Sequence, residues 1–377
     1  MQGNKALILT ASFGNGHMQV AKTIEQEFIR QGIEHVVVSN LFAESYPRMN
    51  QMTEYMYLKS YSIGQPLYHL FYHGIEKIYD KKFMNWSYYF GKKRLTDLLI
   101  KEKPNMIIYT FPMIGVPQFL SRHGMSIPTF SILTDYCLHK IWIQPYIDQY
   151  YVATSDLKQQ MTHAGVPETN IRVTGIPIRH AFEQVIPPSS IYKKYHISPQ
   201  KPVILIIAGA HGVLKDIKTI CKTLIHEHVQ LVVVCGNNET LRVKLQALAT
   251  QFPERLRVFG YVERIDELFR IATLIVTKPG GITLTEAAAM GGPLILYRPT
   301  PGQERENALY FSKKGGAIIA ENIDECHMYI HRLLRNEEAL LDMKYAVRSL
   351  HHPHAASNVV RHMLQLASEK QVKTLLS

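Results

Sequence analysis

The chain has 377 residues, and at about 150 residues per domain this predicts two domains with room for two buried cores. Hydrophobic residues make up 46% and charged residues 19%, which excludes a disordered or collagen-like polymer. The 42 Lys and Arg against 31 Asp and Glu leave a net charge of +11, which points to an anionic partner: nucleic acid, a phosphorylated small molecule or an acidic membrane surface.

The first element is the apolar run Lys5–Thr10, followed by Ser12, Gly14, Gly16 and His17 and then a helical pattern from Met18 to Ile29. This predicts a strand entering a glycine loop, because a secretory signal needs a longer apolar region and a small-residue cleavage site. Short β-rich runs separated by helical stretches follow at His35–Ser39, Met106–Thr110, Pro128–Thr134, Tyr150–Thr154 and Arg172–Thr174. The opening then recurs. Pro202–Ala208 leads into Gly209 and Gly212 and a helical pattern from Ile217 to His226. The runs Val229–Cys235, Leu256–Tyr261, Leu274–Thr277, Leu294–Tyr297 and Ala317–Ala320 follow it. Continuous apolar strands alternating with helices predict parallel sheets covered on both faces. Two such halves predict an α/β chain of two doubly wound, Rossmann-like domains facing a cleft, in preference to one large sheet. Turn and linker chemistry places the boundary in Gly175–Pro202, which contains Pro187, Pro188, Ser189 and Ser190. The expected division is 1–180, 181–345 and a terminal helical segment 346–377. His351, His352 and His354 in that last segment are expected at the surface, since Pro353 breaks any helical pairing among them.

Residues 44–94 differ in composition, holding 13 of the 37 aromatic residues and eight Lys or Arg against four acidic residues. Trp86, Lys81, Lys82, Lys92 and Lys93 belong to this interleaving. Rings beside basic tips suit a membrane interface, and they also suit single-stranded nucleic acid or an inserted helical layer packed into the core. No apolar run reaches the about 18 residues of a membrane span. Cys137, Cys221, Cys235 and Cys326 form no C-x-x-C pair, which predicts free thiols rather than a disulfide framework or a zinc site.

Three polar loops carry the chemistry. The Ser12–His17 loop lacks the third glycine of a dinucleotide fingerprint and the Lys-Ser/Thr of a P-loop, yet its glycines let backbone N–H groups approach an anion at a helix N-terminus. In Thr277–Glu286, Gly280 and Gly281 remove side chains where a phosphate can sit, and Thr283 and Thr285 add hydroxyls on the first helical turn. Glu286 follows one turn into the helix, where a carboxylate can accept from a ribose diol. The same residues also suit a Pro-Gly turn opening an ordinary helix. Gln303, Glu304 and Asn307 cluster after Pro301 and Gly302 at the end of the next strand, where open α/β sheets bind ligands and where amide and carboxylate groups suit sugar hydroxyls; an ordinary polar loop has the same look.

The succession of Gly14 to His17, Thr134-Asp135-Tyr136, Thr174 to Pro177, the Gly209 loop, Lys278 to Gly281 with Glu286, and Pro301 to Glu304 with Asn307 resembles the processive diacylglycerol glucosyltransferases of Gram-positive bacteria. These belong with the monogalactosyldiacylglycerol synthase-like enzymes of glycosyltransferase family 28. The resemblance spans roughly residues 5–345 and implies the twin-domain GT-B fold, whose architecture agrees with that read from the strands. It implies an enzyme that moves glucose from UDP-glucose to 1,2-diacylglycerol and then to glucosyl diacylglycerol, giving β-glucosyl glycolipids of the lipoteichoic acid anchor type. It places Gly16, Gly209, Ala210, His211, Gly280, Gly281, Ile282 and Thr283 near the diphosphate, and Phe259, Gly260 and Tyr261 near uracil. Glu286 falls on the ribose, and Gln303, Glu304 and Asn307 on the hexose. The diacylglycerol acceptor falls to the N-terminal domain, with segment 44–94 on an anionic membrane, peripheral at the cytoplasmic face. His139 and Trp142 either line the acceptor entrance or pack a loop.

The implied reaction is a single inverting displacement that needs a base. His17 is the first candidate, because a neutral imidazole accepts a proton near neutral pH, and Asp135 is the second. No metal or other cofactor is expected, nor a nucleic-acid partner. Galactosyl transfer, UDP-sugar 2-epimerisation and a non-catalytic UDP-sugar sensor are the rival readings.

Overall fold

The computed structural model describes residues 4–12, 15–48, 92–113, 115–209 and 214–376. These divide into two units, the first comprising 1–178 with 352–377 and the second 179–351. The division falls at Ile178/Arg179, within Gly175–Pro202, and the Pro187–Pro188 pair lies inside the second unit. Pro188 opens the helix Pro188–Tyr195 of the second unit, where its fixed φ suits the first turn, and Ile191 anchors that helix in the core. Segment 352–377 is no separate body but part of the first unit.

The first unit is a six-stranded parallel sheet of β1 (Lys5–Leu9), β2 (His35–Ser39), β3 (Met106–Tyr109), β4 (Thr129–Ile132), β5 (Gln149–Val152) and β6 (Ile171–Val173), in the order β2-β1-β3-β4-β5-β6. The chain steps outward from β1 to β2 and then returns to the other side of β1, so the order reverses between β1 and β3. The second unit repeats the device with β7 (Val203–Ile207), β8 (Gln230–Val234), β9 (Leu256–Phe259), β10 (Leu274–Thr277), β11 (Leu294–Tyr297) and β12 (Ala317–Ala320). Its order is β12-β11-β10-β7-β8-β9, and it reverses between β7 and β10. Every pairing is parallel. The strands read Val-Ile-Leu-Ile-Ile in β7 and Leu-Ile-Val-Thr in β10 because helices cover both faces and every side chain is buried.

The helix Asn15–Arg30 packs Val20, Ala21, Ile24 and Phe28 inward at helical spacing. It begins at Asn15, earlier than the expected Met18, so Gly16 and His17 lie in its first turn and not in the loop before it. The final helix, Ala355–Leu376, packs along it, and Tyr151 Oη lies 3.0 Å from His362 Nδ1. His352 is half-buried, while His354 is exposed. A Cβ on Gly175 would stand 2.5 Å from the His352 Cβ, and Gly175 has φ +78°, so only glycine fits against this histidine. The four cysteines are free, three of them buried. Among the described residues no helix is long and apolar enough to cross a membrane.

Candidate active site

Open α/β sheets bind ligands beyond the carboxyl ends of their strands where strand order reverses. In the first unit that point lies between β1 and β3, and it is where His17 sits. His17 Nδ1 is 2.8 Å from the backbone oxygen of Thr110, the residue just after β3. A carbonyl only accepts, so Nδ1 carries the proton and Nε2 is left as the basic nitrogen. Nε2 has no hydrogen-bond partner among the described residues. Thr134 Oγ1 lies 3.0 Å from the same Nδ1 and 3.3 Å from Asp135 Oδ2. With the Nδ1 proton directed at these oxygens, the Thr134 hydroxyl proton goes to Asp135. Phe111 meets the imidazole edge-on at 5.1 Å and Trp142 lies 6.2 Å away. Burial pushes the His17 pKa down to about 4, opposed by its bond to the Thr110 carbonyl, so the ring is neutral at physiological pH.

The sequence candidates around it separate by burial. Asp135 is 5% exposed and lies behind the Thr134 hydroxyl. Trp142 is 5% exposed and packs toward His17 as part of the wall, while His139 caps the short turn before it by accepting from the Ile141 N–H. Lys92 and Lys93 open the helix Lys92–Glu102; Lys92 reaches over the Phe119 ring and Lys93 is exposed. Trp86, Lys81 and Lys82 lie outside the described residues, as do Ala210 and His211.

In the second unit the reversal brings together the loop after β7, with Gly209 at φ +82°, and the loop after β10. After β10, Lys278, Pro279 and Gly280 lead into the helix Gly281–Met290, which has Gly280 as its N-cap. A Cβ on Gly280 would meet nothing within 4 Å, so open space lies over this turn. Ile282 is buried and Thr283 is partly exposed on the first turn. The expected donor Thr285 is otherwise engaged: its buried hydroxyl donates to the Gly281 oxygen at 2.8 Å. Asn307, 1% exposed, donates to the Pro279 oxygen at 3.1 Å and so braces the Pro-Gly turn.

A buried and a partly buried carboxylate complete this unit. Glu286 is 6% exposed, and its Oε1 accepts from Arg179 Nη2 at 2.9 Å. Burial raises its pKa and the guanidinium pulls it back down. Arg179 Nη1 also donates to the Glu263 oxygen at 2.9 Å, which ties Glu286 to the loop after β9. Glu304 Oε2 accepts from the Thr300 N–H at 3.0 Å and from its hydroxyl at 2.6 Å, and Lys278 Nζ lies 3.6 Å from that oxygen. Burial lowers the Lys278 pKa, the Glu304 carboxylate opposes this, and Lys215 and Arg298 add to the lowering. Gln303 begins the helix Gln303–Lys313. Phe259 ends β9 with its ring against Tyr195 and its carbonyl bonded to the Cys235 N–H, followed by Gly260 and by Tyr261, which is 66% exposed.

Sequence reasoning assigned no role to Arg179, Lys278, Thr110 or Thr134. Lys278 and Thr134 were visible inside their motifs. Thr110 acts through its backbone oxygen, which leaves no residue signature, and Arg179 lies 107 positions from the carboxylate it pairs with. Among the described residues no group of three or more His, Cys, Asp or Glu side chains converges as a metal site would.

The family described as Monogalactosyldiacylglycerol (MGDG) synthase matches residues 17–178, and the one described as Glycosyl transferases group 1 matches residues 183–350. A processive diacylglycerol beta-glucosyltransferase of Bacillus mycoides (strain KBAB4) is 52% identical over 357 residues, covering 94% of this chain and 92% of its own. Another, of Bacillus subtilis (strain 168), is 48% identical over 382 aligned residues covering 100% of both chains. Among solved structures, MurG of Acinetobacter baumannii matches with TM-score 0.62 at 14% identity, over 96% of this chain and 99% of its own. UDP-GlcNAc 2-epimerase from Neisseria meningitidis, bound to UDP-GlcNAc, matches with TM-score 0.58 at 16% identity, over 96% of this chain and 100% of its own. These structural likenesses establish the two-domain GT-B fold.

Proposed function

The chain belongs to the processive diacylglycerol beta-glucosyltransferase family, and from that premise we propose that it transfers glucose from UDP-glucose to diacylglycerol and then to glucosyl diacylglycerol. The observation that carries the chemistry is the state of His17 at the β1/β3 reversal: neutral, with its proton fixed on Nδ1 and, among the described residues, no partner on Nε2. An epimerase can share this fold, but about half identity over nearly the whole chain to glucosyltransferases favours transfer over epimerisation or mere sensing.

In this reading the acceptor hydroxyl oxygen attacks the anomeric carbon of the donor, on the face opposite UDP. The new C–O bond forms as the bond to the diphosphate oxygen breaks, so an α-linked donor gives the β-linked product. The acceptor proton passes to His17 Nε2. Asp135, enclosed behind Thr134, acts as partner to the base. UDP leaves with the bonding electrons. Its charge is met by the N-terminus of Gly281–Met290, by Gly280 and Gly209 where backbone can approach, and by the Lys278 ammonium, so the proposal routes no step through a metal. Glu286 takes the ribose hydroxyls, while Gln303 and Glu304 face the hexose. Asn307 acts by bracing the Pro279–Gly280 turn, because its amide is directed at that backbone.

Peripheral attachment to the anionic cytoplasmic leaflet is part of the proposal. Its supports are a substrate class that resides in membranes, the basic Lys92–Lys93 helix start and the aromatic-basic composition of 44–94. Incubation with UDP-glucose and diacylglycerol vesicles, followed by mass spectrometry of the lipids, tests the whole reading. Mono- and diglucosyl lipid together with free UDP support it. An altered nucleotide sugar formed without lipid would establish epimerisation instead, and binding without any product a sensor.

A further inference from the structure

We propose that Thr134 is a positioning residue for the base, carrying the influence of Asp135 to His17 through its hydroxyl. The inference rests on the reading of His17 as the base. Thr134 is 3% exposed, and its Oγ1 stands between the two groups, 3.0 Å from His17 Nδ1 and 3.3 Å from Asp135 Oδ2. The Thr110 carbonyl, 2.8 Å from Nδ1, fixes the direction of the whole set, because it obliges Nδ1 to carry the proton. The Thr134 oxygen can then only accept at its histidine side and donate at its aspartate side. His17 and Asp135 thus act through an inserted hydroxyl, not by direct contact.

The consequence appears when the base works. As the acceptor proton arrives on Nε2, the imidazole becomes an imidazolium and its Nδ1–H becomes a stronger donor. The Thr134 oxygen takes that stronger bond, and its own proton polarises toward the Asp135 carboxylate, which counters the new positive charge. Every proton stays where it began except the one from the acceptor, which remains on Nε2 until it leaves to solvent. A carboxylate in direct contact would hold the resting imidazole partly protonated. With the hydroxyl between them, the ring rests neutral and the charge is compensated as it forms.

Four enzymes test this with full-length protein, UDP-glucose and diacylglycerol vesicles: T134V, T134S, D135N and T134V/D135N. T134V keeps the volume and removes the hydroxyl. It is expected to lower kcat about 10- to 100-fold, the loss of one hydrogen bond to a charged group, with the KM for UDP-glucose within about twofold. T134S restores kcat to within about threefold of the parent, since it returns the hydroxyl. D135N costs a similar factor in the parent background and little in T134V, because Asp135 no longer reaches the ring. T134V with more than half the parental kcat, T134S as slow as T134V, or fully additive losses would each overturn the proposal. H17A run alongside separates the two levels. Parental kcat in H17A would remove the base itself, whereas a slow H17A beside a fast T134V would remove only the role given to Thr134.

Discussion

The ionisation of His17 makes the sharpest quantitative claim. Burial holds its pKa at about 4, against about 6.5 for a free imidazole. At about pH 5.5 a base of this kind is about 97% neutral, whereas an unperturbed one is about 9% neutral. The kcat/KM for UDP-glucose, measured by UDP release with diacylglycerol vesicles, should therefore stay level from neutral pH to about 5.5 and reach half its value near 4. Loss of the base in H17A, with UDP binding intact, should lower kcat about 10²- to 10⁴-fold. The same shift also acts on stability. The unfolded imidazole takes up a proton near 6.5 and the folded one only near 4, so between those values the unfolded chain holds more protons and stability falls as pH falls. At about pH 5 this proton uptake removes about 2 kcal/mol, which H17N should not lose. Urea unfolding of both proteins at neutral pH and at about pH 5 reads the difference. An acid limb centred near 6.5, or equal acid sensitivity in the two proteins, would refute the neutral histidine on which the mechanism rests.

Gly280 and Gly175 should part function from fold. G280A meets no atom within 4 Å and has φ −71°, so its unfolding free energy should stay within about 0.5 kcal/mol while KM for UDP-glucose rises at least fivefold (about 1 kcal/mol of lost binding), because the methyl stands where the donor anion is placed. G175A, with a contact of 2.5 Å and φ +78°, should lose more than about 1 kcal/mol in urea unfolding and leave that KM unchanged. R179M strips Glu286 of its partner and should destabilise the protein by about 2 kcal/mol, with E286Q in the same background restoring part of the loss; an unchanged thermal midpoint would show that the Arg179–Glu286 pair does not hold the buried carboxylate.

The sheets were legible because buried parallel strands leave continuous Val, Ile and Leu runs, and the repeated strand–glycine–helix opening marked two halves. The candidate site loops could be placed at strand ends because glycine, hydroxyl and carboxylate residues gather there. What escaped was set by partners remote in sequence or by backbone. Thr285 is a hydroxyl donor by residue type, but the helix start at Gly281 puts that residue's oxygen one turn behind it, where the hydroxyl donates. Asn307 suits a sugar hydroxyl by residue type, and only the fold shows that its amide also braces the Pro279 backbone. Gly16 disguised the first turn of Asn15–Arg30 as loop, since glycine is a poor helix former. Arg179 lay in a stretch read only as turn chemistry.

The charge arrangement at the second unit's strand ends bears on how a diphosphate can leave. Lys278 faces Glu304, and Arg298 faces Asp216 at 3.0 Å, so each of these cations is matched by a carboxylate, and among the described residues Lys215 adds one net positive charge nearby. One charge does not balance a diphosphate. The helix Gly281–Met290 contributes the equivalent of about half a charge at its N-terminus, where open space lies over the N-cap Gly280 and no side chain caps the turn. Glu304 is held by two bonds from Thr300, so it cannot follow Lys278 if the ammonium turns toward an incoming anion. The ion pair, 3.6 Å long, is therefore the weak side of the arrangement, and an anion that draws Lys278 gains a cation whose resting partner stays fixed. K278M should accordingly weaken UDP far more than uridine in calorimetric titration, by tenfold or more against twofold or less (tenfold being about 1.4 kcal/mol). Equal weakening of both would place Lys278 outside the diphosphate's reach.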